Sequence, residues 1–256
     1  LGKKNKRGLA SSSFLISAKT SYLDQTSEIF YPYVETEFDG LPFSFTDIYA
    51  KFSSQADNGS QINAFGFNFD DAVRYGSANS IDWTSRGAGF NFTAVPASSK
   101  MLLSGDVSYS VYDVTAIEPE LIQQSSITGF NGGLDFTYFF RKADELKFGV
   151  EAITYTTDFE IDAPLGRSVQ QRENTTELGT FFKYRYSSTR LIAEPSIRVH
   201  YYGSQAEASI EPRLGLKYNV NDWLRLKASG GLYSQNLMAG NSDRDVVNLF
   251  YGFLSG

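Results

Sequence analysis

EASIEPRLGLKYNVNDWLRLKASGGLYS, residues 207–234, alternates apolar and charged side chains on both sides of a short polar turn. Arg213, Leu214, Gly215, Leu216 and Lys217 lead into the turn at 219–222; Leu224, Arg225, Leu226, Lys227 and Ala228 lead out of it. A period of two around such a turn predicts a β-hairpin with one apolar and one charged face. A soluble sandwich would place the leucines in a protein core and the cations in bulk water. A membrane barrel would place the leucines in lipid and the cations in a wet interior. One hairpin does not choose between the two.

Composition narrows the choice. The 256 residues carry 23 Lys and Arg against 29 Asp and Glu, a net charge of -6, without the basic excess of a nucleic-acid binder. There is no cysteine, which excludes disulfides, thiolate metal sites and a cysteine nucleophile and suits an exported chain. Sixteen Tyr, 21 Phe and 22 Gly make a β-rich composition. No apolar run reaches the roughly 18–20 residues of a membrane-spanning helix. The chain opens Leu1-Gly2-Lys3-Lys4, without Met or an apolar leader, and closes on FLSG, so the expectation is a piece of something longer.

The hairpin pattern recurs along the chain. About eleven strands are expected, near 11–22, 43–54, 61–70, 83–95, 101–112, 126–140, 146–159, 174–186, 191–202, 206–218 and 223–235, with no convincing amphipathic helix. Short polar turns (56–60, 96–100, 141–145, 187–190, 219–222) take turns with longer connections (23–41, 70–82, 113–125, 160–173); the brief one near Gly203 is the exception. Several strands separate cleanly into two faces. Leu146, Phe148, Val150 and Ala152 oppose Lys147, Gly149 and Glu151, and Leu191, Ala193, Pro195, Ile197, Val199 and Tyr201 oppose Glu194, Ser196, Arg198 and His200. Residues 61–70 read less cleanly.

Strands of 13 or more residues exceed the usual 5–6 of a soluble sheet and exceed the 9–11 needed to cross a bilayer. Tyr138, Phe140, Tyr184, Tyr186, Tyr218 and Trp223 gather at the short-turn ends of the apolar face, and Tyr22, Tyr109 and Tyr201 near the other ends. Aromatic girdles at two rims, short turns on one side and long loops on the other describe an all-β, antiparallel transmembrane barrel. Alternation alone serves a soluble β-sandwich or solenoid equally well.

The segment IEPRLGLKYNVNDWLRLKASGGLYSQNL resembles a barrel hairpin of TonB-dependent outer-membrane transporters, through Pro212, Arg213, Leu214, Leu216 and Tyr218, then Leu224, Arg225, Ala228, Ser229 and Gly231. SSSFLISAKTSYLD (11–24) and DGLPFSFTDIYAKF (39–52) resemble early strands of these barrels, and DRDVVNLFYGFLSG resembles a loop region in members with large external loops. The resemblance implies that residues 1–256 are part of a 22-stranded barrel in the bacterial outer membrane, and that the rest of the barrel and its plug domain lie outside this chain. It implies import of a scarce nutrient, with membrane lipid, the plug, the TonB energy-coupling complex and a surface lipoprotein as partners.

Chemistry-bearing residues are sparse. His200 is the only histidine, so any Ser–His–Asp arrangement must use it, and a His-rich metal site is excluded. Its plainer reading is a hydrogen-bonding residue on the polar face beside Tyr202. Asp70-Asp71 and Asp243-Arg244-Asp245 are expected in external loops without EF-hand spacing. GFNGGLDF (129–136) has no helix after it and is no phosphate loop. No enzyme and no cofactor are expected. Lys183, Arg185, Glu194, Arg198, Glu211, Arg213, Lys217, Arg225 and Lys227 are expected to face the lumen, to tune solute selectivity or to pair with a plug. Phe30, Tyr31 and Tyr33, with His200 and Tyr202, are the candidates for substrate contact, the first three by stacking from a long loop. A passive porin, an outer-membrane enzyme and an adhesin or binding barrel are the competing functions.

Overall fold

A computed structural model of the chain describes residues 3–4, 10–30, 43–75, 79–97, 99–140, 143–163, 167–235, 237–240 and 252–255. Twelve strands form one antiparallel sheet. They are β1 (Lys3–Lys4), β2 (Ser11–Thr20), β3 (Phe43–Gln55), β4 (Gln61–Tyr75), β5 (Asn79–Ala94), β6 (Met101–Glu118), β7 (Leu121–Phe139), β8 (Glu145–Ala163), β9 (Arg167–Ser187), β10 (Leu191–Tyr202), β11 (Glu207–Asn219) and β12 (Arg225–Gly231). Each strand pairs only with its neighbours in sequence, and β1 and β12 do not pair, so among the described residues the sheet is open with two free edges. A separate ribbon joins β13 (Leu237–Gly240) to β14 (Gly252–Ser255).

The short turns fall where the polar clusters predict them, because local hydrogen bonds fasten them. At 56–60, Ala56 N–H donates to the Ser60 carbonyl at 2.7 Å, and Gly59 takes a φ of +87° that a side chain would resist. At the turn after β11 the Asn221 side chain accepts from Leu224 N–H at 2.7 Å and from Trp223 N–H at 3.2 Å.

Register carries each face across the sheet. Leu214 sits opposite Pro195 and Gly230, and the row His200, Gly179, Glu151, Gly133, Asp106, Asn91, Asn63, Ser53 crosses eight strands on the other face. The apolar face is bare. Ile16, Val150, Leu178, Phe182, Ile197, Leu214 and Leu226 are all exposed, as one continuous belt rather than as scattered residues. A belt of this extent is incompatible with water and matches the lipid-facing band of a barrel. At its short-turn rim the rings make contact: Tyr138 and Phe140 meet edge-on at 4.7 Å, Phe140 and Tyr184 at 6.5 Å.

Three expectations are corrected. Residues 70–82, 113–125 and 160–173 are not long loops. β4 continues to Tyr75 and β5 begins at Asn79, β6 and β7 meet at the two-residue turn 119–120, and β8 and β9 run to Ala163 and from Arg167. The Asp70-Asp71 pair therefore lies within β4, where Asp70 accepts from Thr84 Oγ1 at 2.9 Å. The reason is a change of phase. On β8 the face bearing Leu146, Phe148, Val150 and Ala152 continues as Thr154, Thr156, Asp158 and Glu160, while the opposite face changes from Lys147 and Glu151 to Ile153, Tyr155, Phe159 and Ile161. Beyond lipid the polar side belongs to the old apolar face, so the alternation persists with its sign reversed. The 21 residues of β9 extend about 70 Å along the strand, well past the ~9–11 residues of a crossing.

Second, the roughly eleven expected strands are β2–β12, with the two-residue β1 added at one edge, and the last of them, 223–235, shortens to Arg225–Gly231. Third, 23–41 does contain a helix, α1 (Leu23–Phe30), started by Ser21, whose Oγ accepts from Leu23 N–H at 3.2 Å. Eight residues are too few for a clear periodic signal. Residues 61–70 were ambiguous because Phe65, Phe67 and Phe69 occupy the polar face. Gly89 leaves room for the Phe65 ring, which a Cβ there would meet at 2.6 Å.

Leu214 lies near mid-belt and Leu226 opposite Tyr218 at the rim. Leu214→Arg is expected to cost the membrane-inserted full-length protein about 2–4 kcal/mol and Leu226→Arg about 0–1 kcal/mol, with Lys227→Leu close to neutral. Urea titration in lipid vesicles checks this; equal costs on both faces would refute the lipid assignment.

Candidate functional site: the polar face of the wall

The polar face of β8–β12 holds the densest set of interacting polar side chains. Tyr155 on β8 donates its hydroxyl to Glu177 Oε1 on β9. Glu177 Oε2 lies 2.9 Å from Nε2 of His200 on β10, without hydrogen-bond alignment. The His200 ring packs against Tyr202 at 4.6 Å between centroids, and the Tyr202 hydroxyl meets Ser234 Oγ at 2.7 Å. Ser234 donates its N–H to Glu211 Oε1 at 3.1 Å and its hydroxyl to the same oxygen. Glu211 accepts from Arg213 Nη2 at 2.5 Å, and Arg213 lies 4.5 Å from the centre of the Tyr233 ring. Every second residue of a strand shares a face, so one register brings Tyr155, Glu177, His200, Glu211 and Arg213 into a path across four strands.

The carboxylates and the histidine of this path are buried. Glu211 is 1% exposed, His200 4% and Glu177 6%. A carboxylate held out of water must be met by donors, and Glu211 has three, from Ser234 and Arg213. His200 Nδ1 has no hydrogen-bond partner among the described residues.

Nearer the short turns the polar face is more open and more strongly charged. Lys147 pairs with Asp135 at 2.8 Å, Lys183 with Glu194 at 3.3 Å, and Arg185 with Glu145 at 3.5 Å and Glu194 at 3.7 Å. Arg198 pairs with Glu151, whose side chain lies over Gly179; a Cβ at 179 would meet that carboxylate. Partly exposed pairs of this kind contribute little singly, about 0–1 kcal/mol each.

The sequence candidates therefore separate. Lys183, Arg185, Glu194, Arg198, Arg213, Lys217, Arg225 and Lys227 share the polar face. His200 and Tyr202 are on that face but enclosed within the wall. Phe30 ends α1 and is exposed, while Tyr31 and Tyr33 lie outside the described residues; Asp243-Arg244-Asp245 does too. Glu177 and Tyr155 are the participants that sequence reading passed over. Their signal, inward parity beside His200, appears only once the β8–β9 register is fixed. No cluster of three His, Cys, Asp or Glu side chains able to hold a metal occurs among the described residues.

An open antiparallel wall with a lipid belt, aromatic rims and a charged opposite face defines a part of an outer-membrane β-barrel. Solved structures agree on this fold. The copper transporter OprC matches with a TM-score of 0.62 at 12% identity, over 92% of this chain and 42% of its own. The Serratia marcescens hemophore receptor HasR matches at 0.60 and 13%, over 87% and 39%. The ferric citrate transporter FecA matches at 0.59 and 12%, over 93% and 40%. This chain thus spans about two fifths of the length of these structures. No protein-family model matches it, and no curated protein does.

Because Arg213 neutralises a buried carboxylate, Arg213→Leu is expected to destabilise the full-length protein by about 3–5 kcal/mol. The double variant Glu211→Gln, Arg213→Leu should recover part of the loss. Urea unfolding of the two variants in lipid vesicles checks this; equal stabilities would mean that Glu211 is not ionised in the wall.

Proposed function

We propose that this chain is part of the barrel of a TonB-dependent outer-membrane transporter that imports a scarce nutrient, its polar face lining a wet interior that a plug domain fills. The observation that carries the reading is the wall itself: a lipid belt backed by a mixed-charge face, extended on one side well beyond the membrane. The fold likeness to outer-membrane transporters supports it. In this reading the partners are outer-membrane lipid, the plug, the TonB energy-coupling complex and a surface lipoprotein, and neither enzymatic chemistry nor a cofactor has a role. The turns at 56–60, 96–100, 141–145, 187–190 and 219–222 face the periplasm, and the tips of the long hairpins β4–β5, β6–β7 and β8–β9 face the exterior.

Single cysteines test sidedness cleanly because the chain has none. An impermeant thiol reagent on intact cells is expected to label cysteine at Glu120 or Gln170 and to miss it at Ala143 or Ser188, four exposed positions. Ser27, although within the expected external segment 23–41, is buried and is a poor probe. Labelling of Ala143 or Ser188 variants in unbroken cells would overturn the topology. Planar-bilayer recording of the full-length protein separates a plugged transporter from a porin: steady ion conductance would favour the porin.

A further inference from the structure

Three cations on β11 and β12 stand apart from the ion pairs of the wall. Lys217 and Lys227 are direct cross-strand partners, and Arg225, two residues before Lys227, shares their face. Like charges directly opposite one another on a sheet repel. Elsewhere on this stretch each cation has a carboxylate: Asp135 takes Lys147, Glu145 takes Arg185, and Glu194 is shared by Lys183 and Arg185. Among the described residues none lies in ion-pair reach of Lys217, Arg225 or Lys227. Asp222, in the adjoining turn, makes no such pair.

The same place is hollow. A cavity of about 390 Å³ is lined by Arg185, Glu194, Gly215, Lys217, Lys227 and Ser229, among others. Its one carboxylate, Glu194, is shared by Lys183 and Arg185, which leaves Lys217 and Lys227 as the lining cations without an ion pair among the described residues. Gly215 contributes no side chain; a Cβ there would meet Glu194 only at 3.7 Å, so the floor is open. Ser229 adds a hydroxyl opposite Gly215.

We propose that this pocket, at the short-turn end of the polar face, binds a small oxyanion, a phosphate- or carboxylate-bearing solute, through Lys217, Lys227 and Arg185. The anion supplies the negative charge that no described residue brings to these cations and relieves the Lys217–Lys227 repulsion. Charge-assisted hydrogen bonds from ammonium and guanidinium groups are the strong class, and the hydroxyl of Ser229 is a further donor. The proposal rests on the reading of this face as the wet interior of a transporter.

The test uses the full-length protein in detergent micelles, titrated with inorganic phosphate and followed by ³¹P line width. Saturable broadening is expected, with affinity about tenfold weaker in K217Q/K227Q and unchanged in R172Q, which alters the opposite face. The two glutamines remove a repulsion, so the variant should fold at least as well. Absence of saturable broadening, including through occupation of the pocket by a carboxylate of the polypeptide itself, overturns the proposal. So does equal binding by the double variant. Ser229→Cys separates the underlying reading. Its modification by a charged methanethiosulfonate without phosphate binding refutes the pocket alone; its protection from that reagent, whether by the plug or by packing, refutes a wet interior at this end of the wall.

Discussion

Backbone hydrogen bonding is the constraint on which this wall depends. In lipid no water is present to satisfy an N–H or C=O group, so a chain that crosses by strands must pair every one of them with a neighbour. The sequence meets this with strands joined one after another in the simplest order, each paired along nearly its whole length. Everything else follows from that ladder. Register fixes which side chains share a face, and the face decides whether a residue meets lipid, water or a neighbouring side chain.

The change of polarity along the strands marks where the lipid stops. On β9, Tyr184, Phe182 and Leu178 give way to Asn174, Arg172 and Gln170 on the same face. Opposite, Val73, Val114 and Ala116 are nearly fully buried on what was the polar side. A wall of this kind has two regimes: lipid holds its outside in one, and its own inward apolar side chains hold it in the other. The second regime holds Val73, Val114, Ala116 and Tyr155, and it extends the hairpins well past the lipid belt.

The polar face is also of two kinds. Around Glu177, His200, Tyr202 and Glu211 the side chains are shut away from solvent and, His200 apart, hydrogen-bonded within the wall, an arrangement that ties three strands together. Around Lys217, Arg225 and Lys227 the charges are more open, and among the described residues they have no ion pair. The lone histidine, conspicuous in the sequence, is thus enclosed, while Lys217 and Lys227, in an unremarkable alternation, line an open pocket.

The sequence by itself determined the class of fold, the turns and the membrane belt. Those depend on local chemistry: period-two alternation such as Leu214–Arg213, Asn and Gly in tight turns, and aromatics at strand ends. It did not determine the length of the hairpins, because beyond the lipid the alternation reverses sign and Val114 or Phe159 no longer belongs to the expected stripe. Nor could it join Tyr155 to Glu177 and Glu177 to His200, residues 22 and 23 positions apart in the chain. Only the tertiary pairing does that, since a shift of one residue between β8 and β9 would send Tyr155 and Glu177 to opposite faces of the sheet. The unmatched pair Lys217 and Lys227 was written in the hairpin from the start. That no carboxylate among the described residues neutralises it became visible only when the structure assigned Glu194 to Lys183 and Arg185.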